Sequence, residues 1–272
     1  MSSDALAAVV VLPGVETAVA QARVAVDRLL AHRVLRRRGE EVRLAAALRG
    51  ARASAALDGV DWPLADVRSL EEIADRPGAS VVRGALRTGA ELGALRTAWV
   101  KAPLQVLARL HALAAADLLA QDRLGRPRAS DEAVDDPLGL PGAPSPAAVS
   151  ARLDALARLV VSPGDSPALV LSAVVHGELL ALRPFPTANG VVARAASRLV
   201  LITRGFDPAA ASIPEVGHLA DPANSTAAYG DAARGYLAGT PAGVAAWVVH
   251  CAGAVERGAQ EGLAVCEALL RG

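Results

Sequence analysis

The fold of this chain is decided by the stretch Leu182-Arg183-Pro184-Phe185-Pro186-Thr187-Ala188-Asn189-Gly190-Val191-Val192-Ala193-Arg194. Two apolar runs flank it, at residues 167–182 and at about 190–204. The first run is apolar nearly all round, which is typical of a central buried helix. Pro184 and Pro186 end that helix, because proline lacks an N–H and clashes with the preceding turn. We therefore expect a helix–turn–helix at the centre of the protein.

The turn itself has the chemistry of an anion site. Asn189 and Gly190 lie where a new helix begins, so unpaired backbone N–H groups and the positive end of the helix dipole point into the turn. Between Glu178 and Asp207 the charged side chains are Arg183, Arg194, Arg198 and Arg204. This local positive charge indicates a phosphate site. The alternative is a capped turn between buried helices whose arginines reach solvent.

The same stretch resembles the signature of the Fic family, His-Pro-Phe-x-(Asp or Glu)-Gly-Asn-Gly-Arg-x-x-Arg. The matching residues are Pro184, Phe185, Asn189, Gly190 and Arg194. The resemblance implies a phosphate- or nucleotide-binding site made by Phe185, Ala188, Asn189, Gly190 and Arg194. It also implies AMP (adenylyl) transfer from ATP to protein hydroxyls, the activity of the family.

Four positions depart from the signature. Arg183 replaces the histidine that acts as general base, and Thr187 replaces the acid that holds Mg²⁺ on the nucleotide phosphates. Ala188 replaces the first glycine, and Val191 replaces the first arginine. Arginine stays protonated at physiological pH and cannot act as a base. Because Mg²⁺ prefers carboxylate ligands, binding of ATP with Mg²⁺, which the resemblance implies, is expected to be weakened.

An upstream motif extends the resemblance. Residues 53–59, Ala-Ser-Ala-Ala-Leu-Asp-Gly, are similar to the inhibitory helix of some Fic proteins, and the corresponding residues are Ser54, Asp58 and Gly59. The resemblance implies that Asp58 pairs with Arg194, which would block the seat of the ATP γ-phosphate. Two interpretations remain open: a partly buried ion pair that holds the N-terminal helix, or a regulatory contact over a nucleotide site. The resemblance covers roughly residues 40–270, with a target-docking flap expected at 121–144.

The remaining pattern predicts an all-α, Fic-type helical bundle with helical N- and C-terminal extensions. We expect residues 1–63 to form an N-terminal helical region and residues 64–272 a Fic-like core with C-terminal helices, packed as one unit. A serine cap followed by proline marks helix starts at Ser145-Pro146 and Ser166-Pro167. The only strand-like run is Val9 to Leu12, and the flap-like loop 121–144 could carry a short hairpin. Further helices are expected at 15–30, 40–57, 64–94, 102–120, 146–161, 226–238 and 243–270.

Composition excludes several classes of partner. The 28 basic and 28 acidic side chains cancel, which argues against a nucleic-acid or anionic-membrane binder. The apolar run Ala168 to Leu182 is too short to span a bilayer, and the N-terminus has no secretion signal, so a cytoplasmic location is expected.

Cys251 and Cys266 lie in one predicted helix, too far apart to form a disulfide. His176 lies two turns before Arg183, which predicts a hydrogen-bonded core histidine, not a substitute base.

Three functional hypotheses follow. The leading one is a Fic-like pseudoenzyme without AMP transfer, which retains binding of a nucleotide, a phosphate ligand, or a protein target or regulator. The second is an active transferase with altered chemistry or with catalytic groups supplied by a partner. The third is a structural or interaction module in which Val191 and Arg183 fill the former pocket.

Overall fold

Apolar periodicity and the positions of the prolines determine where the helices of the protein begin and end. The computed structural model describes residues 6–69, 75–129, 132–162, 164, 166–219 and 225–271. These residues contain no β-strand, and their α-helices are, in chain order, α1 (Ala7–Val10), α2 (Val15–Leu30), α3 (Arg33–Arg37), α4 (Gly39–Leu57), α5 (Leu64–Arg68), α6 (Ala79–Trp99), α7 (Pro103–Ala114), α8 (Pro146–Val161), α9 (Ala168–Leu182), α10 (Asn189–Thr203), α11 (Pro214–Leu219), α12 (Ser225–Leu237) and α13 (Pro241–Arg271). The predicted all-α class is confirmed.

The centre of the molecule is the pair α9 and α10. Helix α10 packs against α4, α6, α7 and α9, so it is covered on all sides. With few aromatic side chains available, the helices come close through small residues. A side chain at Gly84 of α6 would collide with the carbonyl of Ala114 in α7, and one at Gly217 would collide with that of Ala254. Such close approach gives a densely packed core made mainly of Ala, Val and Leu.

The long helix α13 forms the opposite side of the molecule. It packs against α2, α9, α11 and α12. Trp247 on α13 is fully buried, and its indole N–H donates to the carbonyl of Ala173 in α9 at 2.7 Å. This contact fixes the C-terminal helix against the central one.

Several predicted boundaries are corrected by the structure. The helix predicted at 64–94 is two helices, α5 and α6, because Pro77 and the left-handed Gly78 (φ 85°) precede α6; the predicted residues 70–74 lie outside the described part. Helix α7 ends at Ala114, not at 120. The strand-like run Val9 to Leu12 instead overlaps the helical turn α1, and α11 was not predicted.

The structure confirms one predicted helix cap, and it corrects the possible hairpin of the long loop and the start of α9. The loop 121–144 contains a 3₁₀ turn at Gln121–Arg123, and its described residues form no hairpin. The Ser145 hydroxyl accepts from the N–H of Ala148 and caps α8, as predicted. Helix α9 begins at Ala168, one residue later than expected.

Cys251 and Cys266 lie in one helix, α13, as predicted. Both cysteines are buried and neither forms a disulfide. Among the described helices, none combines the length and the apolarity that crossing a bilayer requires.

Candidate functional site

The turn between α9 and α10 is held by its own side chains. Arg183 and Ala188, at its two ends, both have left-handed backbone conformations, with φ of 42° and 58°. The Asn189 side chain closes the turn: its Oδ1 accepts from the N–H of Phe185 at 3.0 Å, and its Nδ2 donates to the Phe185 carbonyl at 2.7 Å. Asn189 therefore fixes the shape of the turn that precedes α10.

Phe185 is fixed in turn by a histidine of α7. The rings of Phe185 and His111 stack with their centroids 4.1 Å apart and their planes 2° from parallel. Burial lowers the pKa of His111 to about 4, so the imidazole is neutral at pH 7. Its Nδ1 accepts from the N–H of Gly125 at 2.9 Å, which places the ring proton on Nε2. The stack anchors the turn to α7 and to the beginning of the long loop.

Arg194 and Asp58 form the predicted ion pair, deep between α4 and α10. Nη2 of Arg194 lies 2.8 Å from Oδ1 of Asp58, and the two side chains are 2% and 7% exposed. The guanidinium also donates to Ser54, from Nε to the hydroxyl and from Nη2 to the carbonyl, both at 2.9 Å. Gly190 is required here, because a side chain at this position would collide with the Asp58 carboxylate. The pair thus seals the first turn of α10 from the α4 side.

The electrostatics of this pair reflect its burial. Burial has the largest single influence on the pKa of Arg194 and lowers it, but Asp58 and Tyr229 together raise this pKa above its usual value. Burial likewise raises the pKa of the Asp58 carboxyl, against the opposing influence of Arg194. Loss of either partner would leave the other as a buried, uncompensated group.

A cluster of rings lies behind Arg194. His176 is buried, and its Nε2 lies 2.7 Å from the hydroxyl of Tyr229, which confirms its predicted place in the hydrogen-bonded core. Nδ1 of His218 lies 3.0 Å from Nε2 of His250. Burial lowers the pKa of both His176 and His218 well below the usual value, with a further contribution from nearby positive charge. His176 and His218 are therefore neutral at pH 7 and pack as part of the core.

Arg183, where the resemblance to the Fic signature leads one to expect a general base, contacts a different part of the chain. Its Nη1 donates to Oδ2 of Asp136 at 2.6 Å and to the carbonyl of Leu140 at 2.9 Å. Its Nη2 donates to the carbonyl of Pro141 at 2.7 Å. The side chain is 4% exposed. All three contacts lie in the long loop, so Arg183 fastens this loop to the end of α9.

We refer to residues 132–144 as the strap. The N–H of Asp135 donates to the carbonyl of Pro186 at 2.8 Å, and Oγ1 of Thr187 donates to Oδ2 of Asp135 at 2.9 Å. Just before the strap, Arg128 donates to the carbonyl of Pro184 from its N–H at 2.9 Å and to that of Arg183 from Nε at 3.0 Å. No pattern in the sequence indicates these contacts. The sequence predicts only that residues 121–144 form a long loop with a functional role.

A small cleft remains beside the turn. Its volume is about 120 Å³, and it is lined by Asp58, Val81, Ala114, Leu118, Asp135, Pro137, Thr187, Ala188, Asn189, Gly190 and Val191. The charged side chains of this lining are the carboxylates of Asp58 and Asp135. Val191 contributes an apolar wall, whereas Arg183 is not part of the lining. The cleft is therefore neither closed by Arg183 nor lined by positive charge.

The predicted surplus of positive charge around the turn is wrong. Arg183, Arg194 and Arg198 each pair with a carboxylate, of Asp136, Asp58 and Glu215 respectively. The alternative, that the arginines reach solvent, fails for the same three residues because they are buried. Arg204 donates to the carbonyls of Val160 and Ser162. Anion binding at the N–H groups of α10 stays a prediction.

Metal binding would have to use the same carboxylates. Asp58 is engaged by Arg194, while Asp135 accepts from Thr187 and is otherwise exposed at the mouth of the cleft. In the described ranges, no group of three or more His, Cys, Asp or Glu side chains is arranged to hold a metal ion.

Comparison with solved structures identifies the fold. The chain is similar to a Fic family protein from Desulfovibrio desulfuricans G20, with 21% identity and a TM-score of 0.66, over 93% of this chain and 75% of that one. It is also similar to Fic-1 from C. elegans, with 17% identity and a TM-score of 0.69, over 92% and 71% of the two chains. A variant of Fic-1 with a glutamate replaced by glycine gives 17% identity and a TM-score of 0.65, over 92% and 72%. No protein-family model matches the chain, and no curated protein does. The chain has the Fic fold.

Proposed function

We propose that this protein is a Fic-fold pseudoenzyme that does not transfer AMP to protein hydroxyls. The observation that carries the proposal is the role of Arg183. It occupies the position at which the resemblance expects a general base, and its guanidinium stays protonated while bonded to Asp136, Leu140 and Pro141. Loss of a positioned general base typically slows a reaction by about 10²–10⁴.

The charges around the cleft support the same conclusion. Thr187 offers a neutral hydroxyl where the resemblance expects a metal-binding acid, and that hydroxyl already donates to Asp135. The carboxylate of Asp135 lines the cleft and would repel the phosphates of a nucleotide, whereas that of Asp58 is already paired with Arg194. Any phosphate ligand would have to bind at the turn formed by Phe185, Ala188, Asn189 and Gly190, with Arg194 released from Asp58.

A second candidate is an interaction module in which the ancestral pocket no longer takes a ligand. The observation that favours it is the size of the cleft. At about 120 Å³ it is smaller than the roughly 300–1,000 Å³ of typical small-molecule pockets, and Val191 supplies an apolar wall. In this case the protein would act through its surface, on a protein target or regulator.

The test of the leading proposal is a transfer assay. The purified protein is incubated with labelled ATP, Mg²⁺ or Mn²⁺ and a cell lysate, and modified proteins are detected by the label. We expect no labelling above that of an Asn189→Ala variant, which loses the side chain that closes the turn. Strong labelling by the wild type that disappears in Asn189→Ala would instead establish an active transferase with altered chemistry.

Calorimetric titration separates the pseudoenzyme from the interaction module. ATP and ADP are titrated into the wild type and into Asp58→Gly, which frees Arg194. Binding by either protein supports a nucleotide-binding pseudoenzyme. An absence of binding by both, in samples that unfold cooperatively, supports the interaction module.

A further inference from the structure

The strap is attached to the core by polar contacts and by two leucines. Among its side chains, Leu140 alone is buried, and Leu138 is partly buried against the same core. The polar contacts at the turn are the three bonds from Arg183, the bond from Thr187 to Asp135, and the N–H of Asp135 on the carbonyl of Pro186. Away from the turn, Arg234 donates to the carbonyl of Leu138, Arg128 donates to that of Pro144, and Arg123 pairs with Glu132.

Asp136 organises the strap internally and connects it to Arg183. Its Oδ1 accepts from the N–H of Leu138 at 3.2 Å, and its Oδ2 accepts from the N–H of Leu140 at 2.8 Å. The same Oδ2 is 2.6 Å from Nη1 of Arg183. The Asp136 side chain is 16% exposed, whereas that of Arg183 is 4% exposed. Water can therefore rehydrate the carboxylate after a small movement of the strap.

The strap also forms one side of the cleft. Asp135 and Pro137 are lining residues, opposite Val81 and the turn. The cleft has its small volume only while these two residues stay in place. A movement of the strap away from Pro186 would remove this wall and uncover the first turn of α10.

We propose that the strap is a lid over the cleft and that Arg183 locks it in the closed position. Arg183 lies at the end of a rigid helix and Asp136 lies in a loop, so opening moves the strap and leaves α9 unchanged. The lid separates solvent from the turn whether or not the protein binds a nucleotide. Arg183 thus has a positioning role: it acts on the lid and not on a substrate.

Hydrogen–deuterium exchange of the full-length protein tests the lock. A hydrogen bond to a charged group contributes about 1.5–3 kcal/mol, or roughly 10- to 100-fold in an opening equilibrium. We expect the amide of Asp135, which is bonded to Pro186, to exchange at least about tenfold faster in Arg183→Met and in Asp136→Ala. The amides of Leu138 and Leu140 report on the lock only in Arg183→Met, because Asp136→Ala removes their acceptors. Exchange in α9 should not change. The matched control is Arg152→Met, which removes an exposed arginine paired with Glu178 and should leave strap exchange at the wild-type rate.

Unchanged strap exchange in both variants would overturn the lock, as would a wild-type strap that exchanges at the rate of an unstructured peptide. If Arg183→Met also loses protection throughout α9, that variant has unfolded. The result for Asp136→Ala, which alters the more exposed partner, then decides.

A thiol probe tests whether the strap covers the cleft. Val81 lines the cleft, and both native cysteines are buried. A Val81→Cys variant is labelled with a maleimide in the wild-type and Arg183→Met backgrounds. We expect labelling to accelerate in Arg183→Met by about the same factor as strap exchange. Faster strap exchange with unchanged labelling would show that the strap opens without uncovering the cleft, which would overturn the lid.

Discussion

Two buried arginines flank the same turn, and they differ in what they hold. Arg194, in the second turn of α10, pairs with Asp58 and joins two helices. Arg183, at the end of α9, pairs with Asp136 and joins a helix to a loop. Both arginines are at most 4% exposed, but Asp58 is 7% exposed and Asp136 is 16% exposed. Both are arginine–carboxylate pairs, but Asp136 is held less firmly than Asp58.

The first pair therefore stabilises the fold, and the second controls the mobility of the strap. Asp58 follows directly on α4 and cannot leave Arg194 unless α4 moves, so the pair is part of the folded core. Asp136 lies in an irregular segment and can reach water with little movement of the core. Breaking the first pair should therefore affect the whole protein, and breaking the second should mainly affect the strap.

The largest expected effect is at the helix–helix pair. Arg194→Met leaves the Asp58 carboxylate buried without its partner, which typically costs about 3–5 kcal/mol. We expect a decrease of that size in the free energy of unfolding, measured by urea denaturation. The control Arg152→Met breaks an exposed pair with Glu178 and should cost about 0–1 kcal/mol. Equal losses in the two variants would contradict the central role of the buried pair.

The two regions also differ in their titratable neighbours. His176 and His218 lie near Arg194, and His111 supports the turn through Phe185. Burial lowers the pKa of all three, to about 4 for His111. Below pH 6.5 the unfolded chain binds more protons than the folded one, so stability is complete above that pH and is lost as the pH falls toward the folded values.

The expected pH effect is a decrease in the free energy of unfolding between pH 7 and pH 5.5, to which His111 contributes about 1 kcal/mol. His176 and His218 act in the same direction. Urea denaturation at the two pH values measures the decrease. His111→Gln should reduce the decrease by about 1 kcal/mol and leave the contribution of the Arg194 region. Identical pH dependence in the variant and the wild type would show that His111 does not titrate in this way.

A smaller loss is expected at the helix–loop pair. Arg183→Met removes three hydrogen bonds, but Asp136 and the strap carbonyls can bind water instead. We expect a decrease of about 2–3 kcal/mol in the free energy of unfolding, less than for Arg194→Met. Denaturant titration of both variants in parallel tests this order. A larger loss for Arg183→Met would mean that the strap is as much part of the core as α4.

The smallest effect is expected at the far end of the turn. Ala188 has a φ of 58°, a conformation that costs about 1–2 kcal/mol for a residue with a side chain. Ala188→Gly should raise the free energy of unfolding by about 0.5–1 kcal/mol, because glycine adopts this conformation easily but loses more entropy on folding. Thermal and urea unfolding both measure it. Ala151→Gly, at an exposed position of α8, should have the opposite sign.

The sequence predicted the regular part of this molecule better than the irregular part. The start of α8 and the end of α9 could be predicted because proline and capping residues act locally. The pair Asp58–Arg194 could be predicted because both residues lie in motifs with a recognised spatial relation. The break between α5 and α6 was missed although Pro77 and Gly78 mark it in the sequence.

The strap contacts could not be predicted, for a different physical reason. They join residues about 50 positions apart through a loop without periodicity. No pattern indicates which carboxylate Arg183 will find, and Asp135 and Asp136 are adjacent in the sequence yet contact different partners, Thr187 and Arg183. Only the three-dimensional structure shows that Arg183, Arg194 and Arg198 are each paired with a carboxylate.

The two prolines of the turn have a consequence for association between chains. The carbonyl of Pro186 accepts from the strap, that of Pro184 accepts from Arg128 just before the strap, and neither proline has an N–H. A β-ladder needs donors as well as acceptors along each strand, so this segment cannot template pairing with a strand of another molecule. When the strap leaves its place, the uncovered backbone is therefore a poor nucleus for aggregation, and the protein can expose the turn without promoting misassembly.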